Sequence, residues 1–174
     1  MTNPETVIIA SDSEECFRYA VLLCGGIGLF RCSEPDHMVE FVKHLPEHLR
    51  GAAKLDDNYV FVLQELVEFL KPEELEIVMT HEEGHFILGH QAGQGSGIMI
   101  NIENEISADA YAAGKHTPEG MIKVLGRQVE FLIEKIIPFL AEGDDELEDI
   151  LTEQAMVVAK GHLTPRIKAL QSMI

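Results

Sequence analysis

The stretch EELEIVMTHEEGHFILGH, residues 73–90, decides how this chain is read. It holds two histidines four positions apart, His81 and His85, with Glu82 directly after the first, the pattern HExxH. On a helix, side chains at i and i+4 stack on one face, so both imidazoles can aim a nitrogen lone pair at a single cation. Glu82 lies about 100° further round the helix, outside that ligand pair but within reach of a water on the ion's open side. The spacing predicts a metal clamp with Glu82 as general base. The same segment has helical credentials of its own: Pro72 suits the first helical position, Glu73 and Glu74 favour the first turn, and Leu75, Val78 and Met79 begin an apolar stripe. Gly84 costs such a helix about 1 kcal/mol against Ala, which implies that something approaches the backbone closely there.

Two histidines need a third ligand. A further His six residues beyond His85 would make one known zinc pattern, but Gln91 stands there and His90 falls one short. Downstream, ENEISADAYAA runs from Glu103 to Ala113 and again presents two groups four apart, Glu105 and Asp109. Catalytic zinc commonly takes two His and one Glu, and a neighbouring carboxylate commonly receives the other ring N–H of a ligating His. Glu105 fits the first role and Asp109 the second. Ala108, Ala110, Ala112 and Ala113 keep this helix slim enough to pack closely against the His81 helix.

HExxH followed by ExxxD resembles the gluzincin zinc metallopeptidases. The string YVFVLQELVEFLKPEELEIVMTHEEGH, residues 59–85, is similar to the strand, helix and active-site helix of the CAAX-endoprotease and heat-shock membrane peptidases, and of their soluble minimal relatives, the minigluzincins. The resemblance spans roughly residues 59–113. It departs from the membrane members in showing no transmembrane helix, and Ser107 stands where an acidic or small residue is more usual. The resemblance implies Zn2+ as cofactor, a peptide or protein as substrate, and Tyr59–Leu63 as an edge strand bordering the cleft. On the residues alone, a strand packed inside a sheet serves equally well. The resemblance also leaves His90 outside the ligand set. The segment GHLTPRIKAL, residues 161–170, resembles a C-terminal segment of related peptidases and implies His162 or Arg166 as an oxyanion stabiliser.

Composition narrows the setting. Thirteen basic against thirty acidic side chains leave a net charge of −17, which disfavours nucleic acid and anionic membranes as partners. The longest apolar run, Tyr19 to Phe30, is about twelve residues and is interrupted by glycines, too short to span a bilayer. Cys16, Cys24 and Cys32 match no familiar zinc spacing and read as buried free thiols. With no signal-peptide pattern at the N-terminus, a cytoplasmic setting is expected.

Elsewhere, Val7–Ala10 and Ile27–Cys32 read as strands, and Ser11 and Asp12 as caps of a helix reaching about Cys24. Asp36–Leu45 reads as a further helix, while His37, His44 and His48 are spaced irregularly for one metal and read as surface residues. A polar connector covers residues 52–58, and a glycine-rich one Gln91–Gly97. Thr117 and Pro118 open a helix through about Ile136, and the acidic run 142–149 opens another.

The expected fold is α+β: mostly helical with a small N-terminal β-sheet, and a zincin-like active-site helix packed against a second helix bearing Glu105. Residues 1–174 are expected to form one domain, with the motif region at 59–113 and C-terminal helices over 118–174. The expected activity is zinc-dependent peptide hydrolysis, with His81, His85 and Glu105 on the metal, Glu82 as base and Asp109 behind a ligand. The rivals are a catalytically silent zinc-bearing protein that binds a peptide, disfavoured by the intact Glu82, and a helical scaffold with no metal.

Overall fold

The computed structural model describes residues 5–9, 29–32, 59–90 and 101–174. Among the described residues three short strands, β1 (Glu5–Ile9), β2 (Leu29–Cys32) and β3 (Tyr59–Leu63), precede six α-helices. These are α1 (Gln64–Phe69), α2 (Pro72–Ile87), α3 (Ile102–Lys115), α4 (Pro118–Phe131), α5 (Ile137–Ala141) and α6 (Asp145–Gln171), with a π-helical turn, Leu132–Ile136, between α4 and α5. The expected helices at residues 11–24 and 36–45, both connectors, Cys16, Cys24 and the side chain of Cys32, and His37, His44 and His48 lie outside the described residues.

The expected α+β class is corrected by this architecture. From Gln64 onward every regular element among the described residues is helical. Among the residues whose side chains are described, the buried apolar cluster joins Val62 of β3 to the helical part, from Leu66 and Leu70 through Ile77, Val78, Met121, Leu125 and Phe131 to Leu170. Helices of 14 to 27 residues supply the long apolar stripes of that cluster. β3, next to α1, is the middle strand, running parallel to β1 (Glu5 opposite Tyr59, Ile9 opposite Leu63) and antiparallel to β2 (Leu29 opposite Val62, Cys32 opposite Tyr59). The resemblance-based expectation of an open edge at Tyr59–Leu63 is corrected too: both sides of β3 are occupied by a ladder, so no peptide can add to it as a further strand.

Helix boundaries follow local chemistry. α2 starts at Pro72, and Glu74 reaches back to accept the backbone N–H of Lys71 at 3.0 Å. Asn101 caps α3 by accepting from Glu103 N–H at 3.0 Å, Thr117 caps α4 through Gly120 N–H at 3.0 Å, and Asp144 caps α6 through Leu147 N–H at 3.1 Å. The helix expected to run from Pro118 to about Ile136 changes character at Leu132. Pro138 has no N–H for the carbonyl of Glu134 and its ring crowds that carbonyl, and the turn before it widens, with Ile137 N–H bonding to Leu132 O.

The approach of α3 to α2 positions the site. Ala108, Ala112 and Ala113 are buried, and a Cβ placed on Gly84 would lie 3.0 Å from Cδ1 and 3.2 Å from Cβ of Tyr111. The glycine in the active-site helix is thus explained by the Tyr111 side chain of α3 lying against its backbone. α6 packs across α3 and α4.

Candidate metal centre

α2 presents His81 and His85 one turn apart, and α3 presents Glu105 and Asp109 one turn apart on the facing side. His81 Nε2 and His85 Nε2 lie 3.0 Å apart, and each is 3.4 Å from an oxygen of Glu105. The Glu105 carboxylate turns Oε2 to His81 and Oε1 to His85, and one ligand atom from each of the three residues lies within 4.8 Å of the others, an arrangement that could close on one ion and leave a position to a water or a substrate. Two imidazoles and a carboxylate are also the donor chemistry zinc accepts.

Glu82 does not join the triad. Its Oε1 is 4.0 Å from His81 Nε2, and the residue is 8% exposed, beside the ligands. Asp109 sits behind them: its Oδ1 is 2.9 Å from His81 Nδ1, the ring nitrogen turned away from the triad. Arg166 of α6 grips Asp109 with a two-pronged contact, Nε to Oδ2 and Nη2 to Oδ1, both 2.7 Å, and its Nη1 is 3.3 Å from Glu105 Oε2. Asp109 is 1% exposed, so this charge is held almost without water.

The electrostatics favour a cation. Burial opposes charge on His81, yet Asp109, Glu105 and Glu82 outweigh it and raise its pKa to about 9. Burial likewise opposes ionisation of Glu105, but His81, Arg166 and His85 prevail and lower it to about 2. Asp109 is also held below the usual carboxylate range, against its burial, by Arg166 and His81. Glu82, Glu105 and Asp109 bring three carboxylates to the site, and one dication together with Arg166 would balance their charge.

His81, His85 and Glu105 are thus brought together, with Asp109 and Glu82 beside them, at the positions sequence spacing suggested. Among the described residues they are the group of three or more His, Cys, Asp or Glu placed to hold an ion. Arg166 is here too, though its guanidinium is turned to Asp109 and Glu105. His162 lies one turn earlier on α6, half-buried, its Nδ1 without a hydrogen-bond partner among the described residues.

His90, which the sequence left outside the ligand set, and Ser107, to which it gave no role, meet beside the site. His90 Nδ1 lies 3.1 Å from His85 Nδ1, and His90 Nε2 lies 3.2 Å from Ser107 Oγ on α3. The signal was Gly89. With φ of +70° it ends α2 in the left-handed conformation, and the bonds Gly89 N–H to Phe86 O (3.2 Å) and His90 N–H to His85 O (2.9 Å) fold His90 back over His85.

Residues 49–103 match the model of Peptidase family M48. That segment contains the whole of α2 with His81, Glu82 and His85, and stops two residues before Glu105. The match supports a zinc metallopeptidase family and, with it, peptidase activity on a peptide or protein. Neither curated proteins nor solved structures give a significant match. No helix among the described residues is long and apolar enough to cross a membrane.

Proposed function

We propose that this chain is a zinc-dependent endopeptidase of minigluzincin type, a single domain built around the α2–α3 site. The carrying observation is that His81 and His85 of one helix, their Nε2 atoms 3.0 Å apart, each face an oxygen of Glu105 on the next helix at 3.4 Å, with Glu82 beside them and outside the ligand set. His81, His85 and Glu105 would hold the ion, which supplies Lewis-acid chemistry by acidifying water and polarising a carbonyl oxygen. Glu82 takes the proton from water attacking a peptide carbonyl and returns it to the leaving amine. Asp109 accepts the Nδ1 proton of His81 and so keeps the Nε2 lone pair free for the ion. Arg166, engaged by Asp109 and Glu105, holds those carboxylates in place. His162 is the group we assign to donating a hydrogen bond to the developing oxyanion.

The test is an unbiased peptide library digested by zinc-loaded protein beside Glu82→Gln, with zinc content measured in both. Cleavage by the wild type that falls by about 10²–10⁴-fold in the variant, at equal zinc content, is the expected result. Stoichiometric zinc with no cleavage above the variant's level would leave a binding protein instead.

A further inference from the structure

The two ligating histidines are backed in different ways. His81 has a carboxylate behind it; His85 has a second imidazole. We propose that His90 is a positioning residue for His85, and that Ser107 anchors it, so that the second metal ligand is fixed by an uncharged relay from the end of α2 to α3. This rests on the metal-site reading above.

The proton placement follows from the donors on hand. For His85 to offer Nε2 to an ion, its proton must sit on Nδ1. That N–H then faces His90 Nδ1 at 3.1 Å, which must accept, leaving the His90 proton on Nε2. His90 Nε2–H donates to Ser107 Oγ at 3.2 Å, and the Ser107 hydroxyl donates onward to the carbonyl of Glu103 at 2.9 Å or Asn104 at 3.0 Å. Every group in the relay has its role set by the next, and the last acceptor is helix backbone, which cannot change its own role. The geometry is imposed by the left-handed Gly89, because the closing turn of α2 places residue 90 over residue 85 and nowhere else. His85 is 1% exposed, so its ring is held away from bulk water.

Neutrality also suits the site. A carboxylate in the place of His90 would add a fourth negative charge beside Glu82, Glu105 and Asp109. An imidazole orients the ligand without that charge.

The experiment measures affinity for zinc by competition with a chromophoric chelator, and the visible spectrum of the Co2+-loaded protein, in wild type, His90→Phe, His90→Gln and Ser107→Ala. Phe preserves the ring's bulk and removes the acceptor; Gln loses the ring but keeps a carbonyl that can accept from His85 Nδ1–H. We expect His90→Phe to weaken zinc by about 10-fold or more, His90→Gln to stay nearer the wild type, and Ser107→Ala to lose about 3-fold. The cobalt spectrum should change for Phe and hold for Gln. A purely packing role for His90 predicts the reverse order, Phe near wild type and Gln worst, and that order overturns the proposal. Should His90→Phe fail to fold, Ser107→Ala decides alone: unchanged zinc affinity and an unchanged cobalt spectrum refute the relay. A wild type that takes up no stoichiometric zinc refutes the metal site itself, a different outcome from tight zinc binding indifferent to these substitutions.

Discussion

Gly84→Ala sets two effects of known size against each other. In an ordinary helix interior the change stabilises by about 1 kcal/mol, because alanine loses less backbone freedom on folding. Here the added Cβ would stand 3.0 Å from Tyr111 Cδ1 and 3.2 Å from Tyr111 Cβ and Cγ. Carbon atoms settle at about 3.5–4.0 Å, so relief requires a movement of a few tenths of an ångström. Rotating the tyrosine ring cannot supply all of it, since Tyr111 Cβ is fixed to the backbone of α3. The helices themselves must part. Overpacking of this kind costs about 1–3 kcal/mol, enough to cancel the propensity gain or exceed it by up to about 2 kcal/mol. Parting α2 from α3 also moves Glu105 away from the histidines, each of which faces one of its oxygens at 3.4 Å. We therefore expect Gly84→Ala to be no more stable than wild type in urea unfolding of the metal-free protein, and to bind zinc at least several-fold more weakly by chelator competition. A variant stabilised by the full propensity gain of about 1 kcal/mol, with wild-type zinc affinity, would refute the close approach of the two helices.

Arg166→Met removes the cation from a carboxylate that is 1% exposed. Breaking one side of a buried pair costs about 3–5 kcal/mol; because Asp109 keeps His81 at 2.9 Å, the lower end is expected, or a fall in melting temperature of about 6–12 °C by calorimetry. Adding Asp109→Asn to that variant should restore part of the loss, and a single-mutant cost below about 1 kcal/mol would contradict the pairing. Glu74 has its carboxyl pKa lowered from 4.5, chiefly by Lys123 at 2.8 Å, with the Lys71 N–H and Arg127 adding to the effect against burial. A lowered folded value means that its contribution is present above 4.5 and lost as pH falls through the folded pKa. Glu74→Gln should accordingly be less stable than wild type at neutral pH, with the gap in urea midpoints closing in acid; a gap constant with pH would show the charge to be idle.

Local spacing made half of this site readable in advance. A period of 3.6 residues puts His81 over His85 and Glu105 over Asp109 whatever the rest of the chain does, and Thr117, Pro72 and Gly84 announce two helix starts and a close approach without reference to any partner. Fold class was misread for the complementary reason. Short apolar runs near the N-terminus satisfy the local preference for strand, but local preference does not reveal how far helices will dominate the fold, nor whether Tyr59–Leu63 will be an edge or a middle strand.

Tertiary packing decided everything that joins one element to another. Whether Glu105 meets the two histidines depends on how closely α3 can lie on α2, which the alanines and Gly84 permit but which no period encodes. Arg166 reaches Asp109 across 57 residues of chain, and the resemblance had pointed it at a substrate instead; its place follows from α6 crossing α3, an outcome of many side chains burying apolar surface together. His90 stands between the two cases. Its return onto His85 was written in the glycine beside it, but its hold on Ser107 required the second helix to arrive.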